Sequence, residues 1–129
     1  GVQFGAWVSN ANSTTYNNDI QLYSGGGDIV IKGKASDGSP GISWYRGNAG
    51  TQVADAGAGT ITFDGQTVGN GHGIELSYYP GGSTVTPTLS SSSNAATAIS
   101  ITGTTTGTGG VAGYQGTVTA VASASTSSG

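Results

Sequence analysis

Asp28-Ile29-Val30-Ile31-Lys32-Gly33, Thr60-Ile61-Thr62-Phe63-Asp64-Gly65 and Ala98-Ile99-Ser100-Ile101-Thr102-Gly103 are three copies of one pattern. Each alternates inward-type apolar residues with polar or β-branched ones and stops at glycine. Period-two alternation is the signature of a strand, and a glycine after it suits a sharp corner where a Cβ would crowd the backbone. About a dozen residues further on, each is followed by a second kind of segment: Gly41-Ile42-Ser43-Trp44-Tyr45, Gly73-Ile74-Glu75-Leu76 and Gly110-Val111-Ala112-Gly113-Tyr114. The opening Gly1-Val2-Gln3-Phe4 belongs to the same class.

A third, less regular class lies between units, at Asp19-Ile20-Gln21-Leu22, Thr51-Gln52-Val53, Val85-Thr86-Pro87-Thr88-Leu89 and Thr117-Val118-Thr119-Ala120-Val121. The spacing from Ile29 to Ile61 and from Ile42 to Ile74 is 32 positions, while Ile61 to Ile99 is 38. The repeat is real but elastic, and insertions such as 90–97 are placed where a coil can extrude a loop without disturbing its stack. No segment carries apolar residues at i, i+3, i+4 and i+7, so essentially no helix is expected.

Composition narrows the architecture. The 129 residues include 25 glycines, 17 serines and 18 threonines, nearly half the chain, and only 7% are charged against about 25% in ordinary domains. Ten aromatic residues cannot fill a bulky two-sheet sandwich. A parallel β-solenoid needs only a thin continuous core, because strands about 4.8 Å apart place like residues above like. The predicted fold is therefore all-β, a right-handed parallel β-helix over residues 1–129, with three strand positions per turn. Ile29, Ile61 and Ile99 should stack inward in one column, and Ile42, Ile74 and Val111 in another.

The strand-glycine units, Gly27-Asp28-Ile29-Val30-Ile31-Lys32-Gly33 followed by Gly41-Ile42-Ser43, resemble the repeats of large secreted bacterial exoproteins of the filamentous-haemagglutinin type, across nearly the whole chain. That resemblance implies a β-helical extracellular shaft, exported by two-partner secretion and used in adhesion or cell-cell contact. The amino-terminal secretion domain of such proteins has no counterpart here. The expected localisation is the cell surface or exterior, and the expected role is a structural, non-enzymatic adhesin segment belonging to a longer chain or filament. Its partners would be adjacent repeats, or copies associating end to end, and glycans or a host or sister cell surface.

Charge excludes other partners. Lys32, Lys34 and Arg46 are the only formal cations, too few for the basic surface of a nucleic-acid or anionic-membrane binder. No apolar run reaches the length of a membrane span, so no membrane insertion is expected, and no charged n-region marks a signal peptide. Cysteine and methionine are absent, which removes disulfides, thiolate metal sites and thiol nucleophiles.

Catalytic constellations are hard to assemble from what remains, and no catalytic residue, cofactor or metal site is assigned. His72, the one histidine, is read as a solvent-facing loop residue. Asp28 and Asp64 sit at different points of the repeat and should not face each other as a glycosidase pair would. Gly25-Gly26-Gly27-Asp28 occurs once and out of spacing for a calcium-binding nonapeptide array, and 27–34 is one residue too long for a phosphate loop. Asn12-Ser13-Thr14 matches a glycosylation sequon and is read as a polar loop. A β-helical enzyme acting on polysaccharides is the alternative function. Pairs such as Thr60 with Thr62 and Thr117 with Thr119 raise a second alternative, ice binding, but they fall in different strand classes and should not align.

One surface feature is left. Trp44, Tyr45, Tyr78, Tyr79 and Tyr114 gather at or just after second-class strands and could form an adhesive aromatic edge able to contact sugars or a partner chain. Inward alternation would instead send Trp44, with Leu76, into the core.

Overall fold

In a computed structural model, the described residues are 1–5, 19–45, 51–69, 71–76 and 87–106, with the backbone of 114–116, 119–120 and 124–126. They contain twelve strands and no helix: β1 (Val2–Phe4), β2 (Ile20–Tyr23), β3 (Ile29–Lys34), β4 (Ile42–Trp44), β5 (Gln52–Asp55), β6 (Ile61–Thr67), β7 (Ile74–Leu76), β8 (Thr88–Ser90), β9 (Ile99–Thr105), β10 (Tyr114–Gly116), β11 (Thr119–Ala120) and β12 (Ala124–Thr126). They form three parallel four-stranded sheets, ordered β1-β4-β7-β10, β2-β5-β8-β11 and β3-β6-β9-β12. Every strand pairs with the strand three places along the chain. The three strand classes of the sequence are these three sheets.

Register follows the repeat. Ile29 lies opposite Ile61 and Ile61 opposite Ile99, as the 32- and 38-residue offsets require, and Ile31, Phe63 and Ile101 form the next column. Val2, Ile42 and Ile74 align in the first sheet. The fourth member of that column is Tyr114, not Val111. Val111 lies outside the described residues. The step from the first-class isoleucine to the second-class strand is 13 residues from Ile29 to Ile42 and from Ile61 to Ile74 but 15 from Ile99 to Tyr114, so carrying the shorter step forward falls short of the paired position.

The core is narrow and continuous. Ile42, Trp44, Ala54, Ile61, Phe63, Ile74, Leu76, Leu89 and Ile99 have no exposed surface. Trp44 is their centre: Phe4 lies 5.2 Å from it in a tilted contact, and Phe63 stacks on it at 6.0 Å. Its indole N–H donates to Oε1 of Gln52 at 3.1 Å, which is why a glutamine tolerates burial at 4% exposure.

The glycines do something other than end strands. β3, β6 and β9 run on past Gly33, Gly65 and Gly103 to Lys34, Thr67 and Thr105. These three glycines are themselves register partners. A Cβ on Gly33 would overlap the carbonyl oxygen of Gly41, and one on Gly65 the carbonyl oxygen of Gly73. The first-class strand thus crosses the start of the second-class strand backbone to backbone, and only glycine permits that approach. Positive φ is needed elsewhere, at corners such as Gly57 and Gly69.

Candidate functional site

The carboxylates are largely occupied with the backbone. Asp28 accepts from the amide of Thr60 at 2.8 Å and from its hydroxyl at 3.0 Å, 32 residues away. Asp19 accepts from the amide of Thr51 at 2.7 Å, again 32 residues on. Asp55 and Asp37 accept locally from the amides of Gly57 and Ser39. Ser91 donates to the carbonyl of Gly59 at 2.6 Å, once more across 32 residues. Corner side chains therefore brace each repeat to the next. The amide and hydroxyl of Thr60 hold the Asp28 carboxyl below the usual aspartate range, as the amide and side chain of Ser39 do for Asp37.

Asp28 and Asp64 do not meet. Asp28 is aligned with the corner before β6, whereas Asp64 is the register partner of Lys32 and Thr102. Among the described residues no three histidine, aspartate or glutamate side chains converge as metal ligands.

The expected aromatic edge loses Trp44. Trp44 is buried at 0% exposure in the middle of the core, so the inward alternation wins at that position. Tyr45 remains half-buried at the surface, its amide bonded to the carbonyl of Phe4 at 3.0 Å. With Gln3, Lys34, Asp37 and Ser43 it lines an open groove of about 430 Å³. An aromatic face, an amine, a carboxylate and hydroxyls in one groove can hold a polar ligand such as a sugar by stacking and hydrogen bonds. Tyr78 and Tyr79 lie outside the described residues, and of Tyr114 only the backbone, in β10, is described.

His72 is not fully solvent-facing as expected. Its side chain is partly covered, and Nδ1 is buried with no hydrogen-bond partner among the described residues. Three residues on, Glu75 occupies the outer face of β7. Burial pushes its carboxyl above the usual glutamate range, against the opposing influence of His72. The pair could have been suspected from Gly73-Ile74-Glu75-Leu76, where the one charged residue alternates between two inward apolar ones. Among the described residues Tyr23, absent from the expected edge, is 63% exposed at the outward position of β2. Alternation in Ile20-Gln21-Leu22-Tyr23 was the available signal.

No family model, no curated protein and no solved structure matches the chain.

Proposed function

We propose that the chain is a stretch of right-handed parallel β-helix, and that it serves as a non-enzymatic shaft and adhesive segment of a large secreted bacterial surface protein of the filamentous-haemagglutinin type. The observation that carries this reading is the strict rotation of strands through three parallel sheets, each gaining one strand per repeat in fixed register. Strands that visit three sheets in turn support a coiled path, and parallel crossover connections are right-handed in about 98% of cases. Side-chain use supports a load-carrying role: Asp19, Asp28 and Ser91 brace corner to corner along the stack. The groove at Tyr45 supplies the adhesive part of the reading, with glycans as its ligand class. Extracellular placement rests on the composition and on the family resemblance.

A shaft accepts another turn. Duplicating residues 29–60 in tandem should give a folded, β-rich chain lengthened along one axis by about 4.8 Å, readable by small-angle scattering. Loss of fold on duplication would contradict the coil. Reproducible release of reducing ends or unsaturated products from acidic polysaccharides, abolished by Asp64→Asn, would replace the shaft reading with an enzymatic one.

A further inference from the structure

Lys32 and Lys34 are two of the chain's three formal cations, and they stand two residues apart on β3. Period-two alternation turns Ile31 and Gly33 inward and puts both lysines, exposed, on the outer face, about 6.6 Å apart along the strand. Parallel register sets Asp64 of β6 beside Lys32 and Gln66 beside Lys34. On β9 the same two rows continue with the uncharged Thr102 and Thr104. Lys32, Lys34, Asp64 and Gln66, with Gly33, line a concavity of about 210 Å³. It lies on the face of the sheet between two paired strands, so it does not depend on what adjoins β3 on its other side.

The chemistry of this hollow selects its ligand. Two ammonium groups and one carboxylate leave a local charge of +1, in a chain whose net charge is −3. The field of the whole molecule opposes an anion, so binding one takes a local site of this kind. A doubly charged phosphate would press like charge on Asp64. A sugar carboxylate brings a single negative charge for the lysines, while its ring hydroxyls donate to Asp64 and exchange hydrogen bonds with the Gln66 amide. The hollow is smaller than the roughly 300–1,000 Å³ of pockets for drug-sized ligands, a scale suited to one sugar ring.

We propose that the outer face of β3 and β6 binds a uronate residue of an acidic polysaccharide, its carboxylate on Lys32 and Lys34 and its hydroxyls on Asp64 and Gln66. The proposal rests on the glycan reading above and sharpens it. Lys34 also lines the groove at Tyr45, so the two concavities adjoin and one polysaccharide chain can occupy both.

The test is isothermal titration of the 129-residue chain with oligogalacturonate and with its methyl ester, beside Lys32→Gln, Gln66→Leu and Tyr45→Ser. The first two variants alter the hollow and not the groove, and the third alters the groove and not the hollow. The expected result, with unchanged β-type circular dichroism, is binding of the acid form that weakens about tenfold in the ester and in Lys32→Gln, and about fivefold in Gln66→Leu. Those factors correspond to losing one charge-assisted and one neutral hydrogen bond. Gln66→Leu changes no charge, so its effect separates a seated sugar from loose ionic attraction. No binding of the acid form, equal binding of acid and ester, or acid binding untouched by both hollow variants would overturn the site. A Tyr45→Ser chain that still binds the acid form would support the hollow and remove the groove from the glycan reading.

Discussion

The first three strands, β1 to β3, and the next three, β4 to β6, each a turn in the coil proposed above, are built from the same strand classes, yet they hold their apolar residues differently. Ile61, Phe63 and Trp44 lie on strands paired on both sides and have no exposed surface; Ile29, Ile31 and Phe4 lie on strands paired on one side among the described residues and are only partly buried. The difference teaches that in this molecule burial comes from neighbours along the stack more than from residue type. The isoleucine that is core in one turn is half-surface in the other. Corner geometry, in contrast, does not change between them, since Gly33 and Gly65 meet the carbonyls of Gly41 and Gly73 in the same way.

The largest effect should therefore ignore the distinction between turns. Gly65→Ala places a methyl group against the Gly73 carbonyl and the Ile74 side chain, and Gly33→Ala meets Gly41 likewise. Both variants should fail to fold cooperatively, since the obstruction is backbone that cannot rotate away. Gly69→Ala, where φ is +75° and nothing lies within 4 Å, should cost only about 1–2 kcal/mol. Denaturant melts of the three variants would show whether close approach or backbone conformation dominates.

The next effect should separate the turns. Phe63→Ala is expected to cost about 3–5 kcal/mol, as truncation of a fully buried aromatic does. Ile31→Ala, its register partner in the first turn, should cost less than half as much in the monomer. Equal costs would mean that the first turn is covered as fully as the second. Gln52→Leu comes below these: it removes the acceptor of the Trp44 indole and strands a buried N–H, for about 1–3 kcal/mol. Pairing it with Trp44→Phe should restore part of that loss, because no donor is then left unpaired.

The three strand classes and the isoleucine column were legible in the sequence because period-two alternation and a 32-residue offset act over whole strands. Val111 was misplaced because the step from the first-class isoleucine to the second-class strand, 13 residues from Ile29 to Ile42 and from Ile61 to Ile74, lengthens to 15 from Ile99 to Tyr114. Trp44 illustrates a second limit. Aromatics at the mouth of a strand read equally well as surface or core, and only the stacking of Phe4 and Phe63 around it decides. Gln52 was invisible for a related reason: a buried glutamine makes sense only once the indole it serves has been located. The run-on of β3, β6 and β9 past their glycines was hidden too, since a glycine required by a crossing backbone and one required by a turn look alike in a sequence.

The smallest effects concern pH, and the two turns of acid chemistry should oppose each other. Asp28 has its carboxyl lowered by Thr60, so its contribution is present above the ordinary aspartate range and is lost as pH falls through the lowered folded value. Glu75 is raised by burial, so its contribution is present in acid and is lost as pH rises through the folded value. Thermal melts of Glu75→Gln should therefore lack the decline as pH rises above the usual carboxylate range, while Asp28→Asn should lack the loss in acid below the usual aspartate range.

The central claim is that strands stack in parallel at the offsets of the repeat, and a chain without native cysteine offers a direct test by cross-linking. Thr62 and Ser100 are opposite each other on β6 and β9, whereas Thr102 is two residues further along. Adjacent strands lie about 4.8 Å apart, within the roughly 4.4–6.8 Å Cα separation that a disulfide accepts. The account predicts that Thr62→Cys with Ser100→Cys closes on mild oxidation of the folded protein and that Thr62→Cys with Thr102→Cys does not. Preferential closure of the second pair, or closure of neither in a chain that retains its β-type spectrum, would contradict it.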